Sequence, residues 1–221
     1  MILLRLKLLI TLNSISKLIM KINILLTVVV FVLLSACGDK TPRLSPLASD
    51  AVILAFGDSL THGNGAKESE AYPAVLQQLT GRKVINAGVS GEESAPGLNR
   101  LPAALEQHKP QLLVLCHGGN DLMRKKDVNK MESNIRRMIQ LAKDKNIPVV
   151  MLGVPKPGLF LSSFEVYEKI ADSTEVIFIE DLIPDVLGDN ALKSDAVHPN
   201  KEGYRVMAET INVVLKESGA L

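Results

Sequence analysis

The sequence predicts a three-layer α/β/α domain built on a parallel sheet, and three observations carry that prediction. Five short apolar runs recur along the chain, of a length that suits buried strands rather than helices. Between them lie longer stretches with apolar residues at helical spacing. The two kinds of segment alternate from residue 51 to the end. That pattern requires crossover connections, and right-handed crossovers give parallel strands with helices on both faces.

The first run, Ala51 to Phe56, stops at Gly57-Asp58-Ser59 and enters a polar loop holding Gly63 and Gly65. Apolar residues at 72, 75, 76 and 79 then predict a helix over Glu70 to Thr80, ended by Gly81. Val84 to Gly88 reads as a second strand, and Leu98, Leu101 and Leu105 share one face of a helix over Leu98 to His108. Leu112 to Cys116 is the third strand, closed by His117-Gly118-Gly119-Asn120-Asp121. Met131, Ile135, Met138, Ile139 and Ala142 stripe the third helix. Val149 to Leu152 is the fourth strand, Ser163 to Ala171 a weaker helix and Val176 to Ile179 the fifth strand. The last helix, Lys201 to Lys216, aligns Tyr204, Met207, Ala208, Ile211 and Leu215, with Asn200 as its N-cap.

At 221 residues, 47% hydrophobic and 22% charged, the chain suits one well-filled domain. Its net charge of +1 conceals an asymmetry. Residues 1–36 hold Arg5, Lys7, Lys17 and Lys21 and no acid, leaving 21 of the 25 bases against all 24 acids beyond. That balance, with no interleaving of aromatic and basic residues, excludes nucleic acid as an expected partner. Neither a phosphate-binding loop nor a dinucleotide glycine pattern occurs.

Ile22 to Ala36 is 15 residues without a charge, preceded by Lys21. It is short for a membrane span of about 20 residues but suits the apolar core of a secretion signal. Leu34-Ser35-Ala36-Cys37 resembles the lipobox of bacterial lipoproteins, which implies cleavage before Cys37 and lipidation of its sulfur. Met20-Lys21 opens a complete signal, so Met20 is the expected physiological start. Residues 37–50, polar and containing Pro42 and Pro46, are expected to be a tether, with the folded domain at 51–221. The protein should then sit in the bacterial cell envelope, facing the periplasm, as a monomer held to the membrane through Cys37. Gly38 and Asp39 follow the cysteine, and outer-membrane placement is expected over inner. With Cys37 lipidated, Cys116 has no partner and reads as a small buried hydrophobe.

In a parallel sheet the loops leaving the strands gather on one edge. Gly57-Asp58-Ser59, Asn86-Ala87-Gly88 and Gly118-Gly119-Asn120-Asp121 leave the first three strands, and Asp195 to Asn200 leaves that edge ahead of the last helix. A serine hydroxyl needs an adjacent base to act as a nucleophile. His198 fits best of the four histidines, because Asp195, three residues before it, shares its face of a tight turn and can orient the ring. Gly88, through its N–H, and Asn120, through its amide, are candidate donors to the oxyanion formed when an ester carbonyl is attacked. Asp58 is read as shaping the turn that presents Ser59.

Taken together, these blocks resemble the SGNH (GDSL) hydrolases, and most closely the periplasmic thioesterase, arylesterase and lysophospholipase type. The matching residues are Phe56-Gly57-Asp58-Ser59-Leu60, Asn86-Ala87-Gly88-Val89-Ser90-Gly91, Gly118-Gly119-Asn120-Asp121 and Asp195-Ala196-Val197-His198-Pro199-Asn200. The resemblance implies Ser59 as nucleophile, His198 as base and Asp195 as its partner. It implies an oxyanion hole of the Ser59 N–H, Gly88 and Asn120, and neither metal nor organic cofactor. It also implies a flavodoxin-like sheet in the order 2-1-3-4-5. The substrate would be an acyl ester or thioester of small-molecule or lipid type. Deacetylation of an envelope glycan is the alternative within enzymes, and a non-catalytic envelope-binding lipoprotein the alternative outside them. His117 departs from the pattern, His62 reads as solvated or pocket-lining, and Arg124-Lys125-Lys126 reads as a solvated helix-start cluster. No Gly-x-Ser-x-Gly elbow is present, which excludes the α/β-hydrolase reading.

Overall fold

The computed structural model describes Met20, Asn23, residues 42–156, residue 158 and residues 162–221. The expected leader, save Met20 and Asn23, lies outside them, as do Cys37 and the tether up to residue 41.

Five strands form one parallel sheet in the order β2-β1-β3-β4-β5: β1 Val52–Gly57, β2 Lys83–Gly88, β3 Leu112–Cys116, β4 Val149–Leu152 and β5 Ile177–Ile179. The first strand runs in register with both neighbours, Gly57 lying opposite Gly88 on one side and Cys116 on the other. The strands β3 and β4 are buried along their whole length, whereas β2 is an edge strand and half exposed. That accounts for Asn86 within an otherwise apolar run.

Among the described residues there are eight α-helices: α1 Ser59–His62, α2 Tyr72–Thr80, α3 Ser94–His108, α4 Gly119–Met123, α5 Val128–Lys143, α6 Val166–Thr174, α7 Leu182–Gly188 and α8 Lys201–Glu217. Helix α8 packs on α2 and α7, while α5 packs on α3 and α6, giving the two helical layers that right-handed crossovers require. The stripes expected on α5 and α8 are buried, and Asn200 caps α8 by accepting from the N–H groups of Glu202 (2.9 Å) and Gly203 (3.1 Å).

Two differences from the expected elements have physical causes. Helix α3 begins at Ser94, ahead of its apolar stripe, because Asp121 accepts from both the N–H and the hydroxyl of Ser94 at 2.7 Å. The last part of the expected tether is fastened to the domain. Leu44 N–H donates to the Ser218 oxygen (2.9 Å) and Leu47 N–H to that of Ala220 (2.8 Å), just beyond α8.

The carboxyl ends of β1 and β3 lie side by side where the sheet order reverses, which is the usual ligand crevice of such folds. Gly57 is required there: a Cβ would lie 2.2 Å from the Cys116 carbonyl oxygen and 2.4 Å from Thr61 Oγ1. Cys116 is free and fully buried, as expected of a small core residue, and burial pushes its thiol well above the ordinary range.

Candidate active site

Past Gly57 the chain turns sharply into α1. Asp58 accepts from Leu60 N–H at 3.1 Å and caps that helix, the turn-shaping role expected of it. Ser59 follows in the first turn, only 6% exposed. Beneath it Thr61 Oγ1 and the Tyr72 hydroxyl share a buried 3.2 Å hydrogen bond that ties α1 to α2.

On the loop before α8, Ser194 N–H donates to the His198 oxygen at 2.9 Å, and Lys193 pairs with Pro199 in a small bridge. Inside this turn Asp195 Oδ1 accepts from the N–H groups of Val197 (2.8 Å) and His198 (2.9 Å). Its other oxygen meets His198 Nδ1 at 2.8 Å, and His198 Nε2 lies 3.0 Å from Ser59 Oγ. The start of α1 and a loop 139 residues further on thus form an unbroken carboxylate–imidazole–hydroxyl relay. Partial desolvation works against ionisation of Asp195. The hydrogen bonds from His198 and Val197 outweigh it and hold the carboxyl below its usual range. A cleft over Ser59, Asn120 and His198 has apolar walls of Leu60, Met123, Val154, Pro155, Leu187 and Val197.

Two of the three expected oxyanion donors, Asn120 and Gly88, fare differently. Asn120 is 4% exposed in the first turn of α4, just beyond β3, and its amide donates to Asp58 Oδ2 (3.3 Å) and to the main-chain oxygen of Glu92 (3.1 Å). Gly88 is corrected. Its N–H already donates to Asn86 Oδ1 at 3.0 Å, and it does not line the cleft. A Cβ on Gly88 would fall 2.1 Å from the His62 nitrogen, so this glycine serves the packing of β2 against α1.

Residues 55–206 match the GDSL-like lipase/acylhydrolase family. The chain belongs to that family. It is 32% identical over 206 residues to an arylesterase of Vibrio mimicus, covering 85% of this chain and 94% of that one. It is 30% identical over 170 residues to thioesterase 1/protease 1/lysophospholipase L1 of Escherichia coli, covering 73% and 82% respectively. Among solved structures, the esterase EstA from a Pseudoalteromonas species superposes with a TM-score of 0.67 at 26% identity, covering 76% of this chain and 98% of its own.

Around the relay this GDSL-like domain holds a second cluster that motif reading missed. Glu92 Oε1 and Oε2 accept from Arg100 Nε (3.0 Å) and an Arg100 Nη (2.6 Å), and Oε2 also meets His117 Nε2 at 3.2 Å. His117, the departure from the family pattern, is fully buried and packs beside Phe56. The one sequence signal was a histidine placed directly after a buried strand. Desolvation favours the neutral acid of Glu92, but the hydrogen bonds from His117 and Arg100, with the charge of Arg100, prevail and hold it at about 2. A carboxylate depressed in this way stabilises the fold fully above its ordinary value of 4.5, and loses that contribution as pH falls toward 2. The advantage of the wild type over Glu92→Gln in thermal unfolding should therefore be larger at pH 6 than at pH 3. A constant gap would contradict the assignment.

The remaining polar residues stand away from the chemistry. His62 is exposed, and its main-chain oxygen accepts from Asn86 Nδ2 at 3.2 Å. Arg124 and Lys126 both pair with Glu93, at 2.8 and 3.4 Å, as a solvated cluster would.

Proposed function

We propose that this domain hydrolyses carboxylic esters or thioesters through an acyl-enzyme on Ser59. The observation that carries the reading is the relay from Asp195 through His198 to Ser59, at 2.8 and 3.0 Å, under an apolar cleft. In the first half-reaction Ser59 Oγ attacks the acyl carbonyl and its proton passes to His198 Nε2. Asp195 stabilises the imidazolium. The tetrahedral oxyanion takes hydrogen bonds from Asn120 and from the Ser59 N–H, which has no intrahelical acceptor at the start of α1. Collapse expels the alcohol or thiol, which takes the proton from His198. Water, deprotonated by the same ring, then releases the acid. The names borne by the relatives, arylesterase and thioesterase/lysophospholipase, support an acyl substrate of small-molecule or lipid type.

The test is a hydrolysis panel on the domain from residue 41, which forms one compact unit. It comprises p-nitrophenyl esters of increasing chain length, an acyl-coenzyme A, a lysophospholipid and an acetylated sugar. At least one ester should turn over far faster than with Ser59→Ala. Equal rates across the panel would overturn the reading.

We further propose that Cys37 carries lipid and holds the domain in a bacterial cell envelope. The support is Leu34-Ser35-Ala36-Cys37 behind an uncharged run of 15 residues. Cys37→Ser should move the protein from the membrane fraction to the soluble one, and unchanged fractionation would remove the lipid from the account.

A further inference from the structure

Asn120 hangs between two acceptors, and the closer is the main-chain oxygen of Glu92, 3.1 Å from its amide against 3.3 Å for Asp58. That oxygen belongs to the loop between β2 and α3, outside regular structure, so something other than a helix or strand ladder must fix it. One turn bond, from Glu92 N–H to the Val89 oxygen at 3.1 Å, holds this stretch, and the side chain of the same residue adds three more. The Glu92 carboxylate points inward, 7% exposed, and receives the Arg100 guanidinium as a fork and His117 Nε2 as a third partner.

Both partners are themselves held. Arg100 lies 4.0 Å over the Phe56 ring and also donates to the Ala87 oxygen at 3.1 Å. His117 Nδ1 accepts from Gly118 N–H at 3.1 Å, which leaves Nε2 to donate to Glu92. The His117 main-chain oxygen takes the Tyr167 hydroxyl at 2.8 Å. Gly97 of α3 makes room for the ring, since a Cβ there would lie 2.3 Å from Nε2. Phe56, Ala87 and His117 stand near the carboxyl ends of β1, β2 and β3, so the clamp references the loop to the strands that carry Ser59 and Asn120.

We propose that Glu92 is a positioning residue: its buried carboxylate, gripped by Arg100 and His117, fixes its own main-chain oxygen, and that oxygen aims the Asn120 amide at the oxyanion. This deepens the esterase reading and rests on it. One amide hydrogen stays with Glu92. The other, on the longer bond to Asp58, is the one that turns to the developing charge. Releasing the clamp leaves the amide free to rotate, which lowers kcat and spares KM. A misplacement of about 1 Å can cost roughly 100-fold in rate.

The experiment is a double-mutant cycle on the intact protein with Glu92→Gln, Asn120→Ala and the pair. Asn120→Ala alone should lower kcat by about 10²–10³. Glu92→Gln presents an amide to three N–H donors, and should lower kcat roughly 10- to 100-fold with little change in KM. In the Asn120→Ala background the same change should cost almost nothing. Equal cost in both backgrounds would mean a merely structural role and overturn the proposal. Should Glu92→Gln fail to fold, Arg100→Lys, which keeps the charge but loses the fork, enters the same cycle with the same two outcomes. A readout independent of turnover is hydrogen exchange of the Asn120 side-chain amide by NMR in a Ser59→Ala protein. Exchange should quicken when Glu92→Gln is added, and unchanged exchange would overturn the proposal. A wild type no faster than Ser59→Ala would sink the esterase reading, while amide exchange would still decide the role of Glu92.

Discussion

Ser59→Ala should leave a folded protein whose turnover is lower by roughly 10⁶-fold, the scale on which losing the serine of a triad acts. The fold has little reason to notice the change. The turn is capped by Asp58 through Leu60 N–H, and α1 is pinned by Thr61 and Tyr72, none of which involves the Ser59 hydroxyl. That hydroxyl has one side-chain partner, His198 Nε2 at 3.0 Å. Its loss removes the atom that would bond to the acyl carbon, while the apolar cleft that receives the substrate stays as it was. Binding should therefore persist as catalysis disappears. An ester-mimicking phosphonate gives a second view. It should add covalently to the wild type and leave the mass of Ser59→Ala unchanged. An adduct on the variant would place the nucleophile elsewhere.

Asp195→Asn should cost roughly 10³–10⁴ in kcat, with KM nearly unchanged. An asparagine oxygen can still accept from Val197 and His198 N–H, so the turn survives. Its NH₂ would then face His198 Nδ1, where the carboxylate oxygen now sits at 2.8 Å. The ring would answer by carrying its proton on Nε2, aimed at Ser59, and a ring in that tautomer cannot take the serine proton. The carboxylate is 55% exposed, so water relieves part of the loss and favours the lower end of that range. Asp195→Ala should be less stable than Asp195→Asn, because it also strips the acceptor from two backbone donors. A full rate in Asp195→Asn would remove this residue from the mechanism.

What could be read from the sequence, and what could not, divides by range. Buried strands announce themselves by unbroken apolar runs, and long helices by stripes such as Met131 to Ala142, so sheet and layers were legible. The helices α1, α4 and α7 span seven residues or fewer, too short for a stripe to establish a period. In the site, Ser59, Asn120, Asp195 and His198 stood out because each sits in a compact polar block at a strand end or before a helix. Gly88 misled for the same reason: its block is right, but Asn86 Oδ1 has already taken its N–H. The Glu92, Arg100 and His117 clamp had no such signature. Its members are 8 and 25 residues apart, and only the packed fold brings them together.

The short pairing of Leu44 and Leu47 with residues 218 and 220 bears on how the protein can be handled. It brings the two ends of the domain together beside Gln111 and Pro148, at the start of β3 and β4, on the rim away from Ser59. A purification tag or a bead attached at either end would therefore leave the mouth of the cleft open. The two ends are also close enough to be joined by a short linker, with new termini opened in the exposed turn at Lys145 and Asn146. The chain would then be circularly permuted with every strand neighbour of Ser59 kept. Trimming the last four residues is the operation to avoid, since it would take away the acceptors that hold the amino-terminal segment in place.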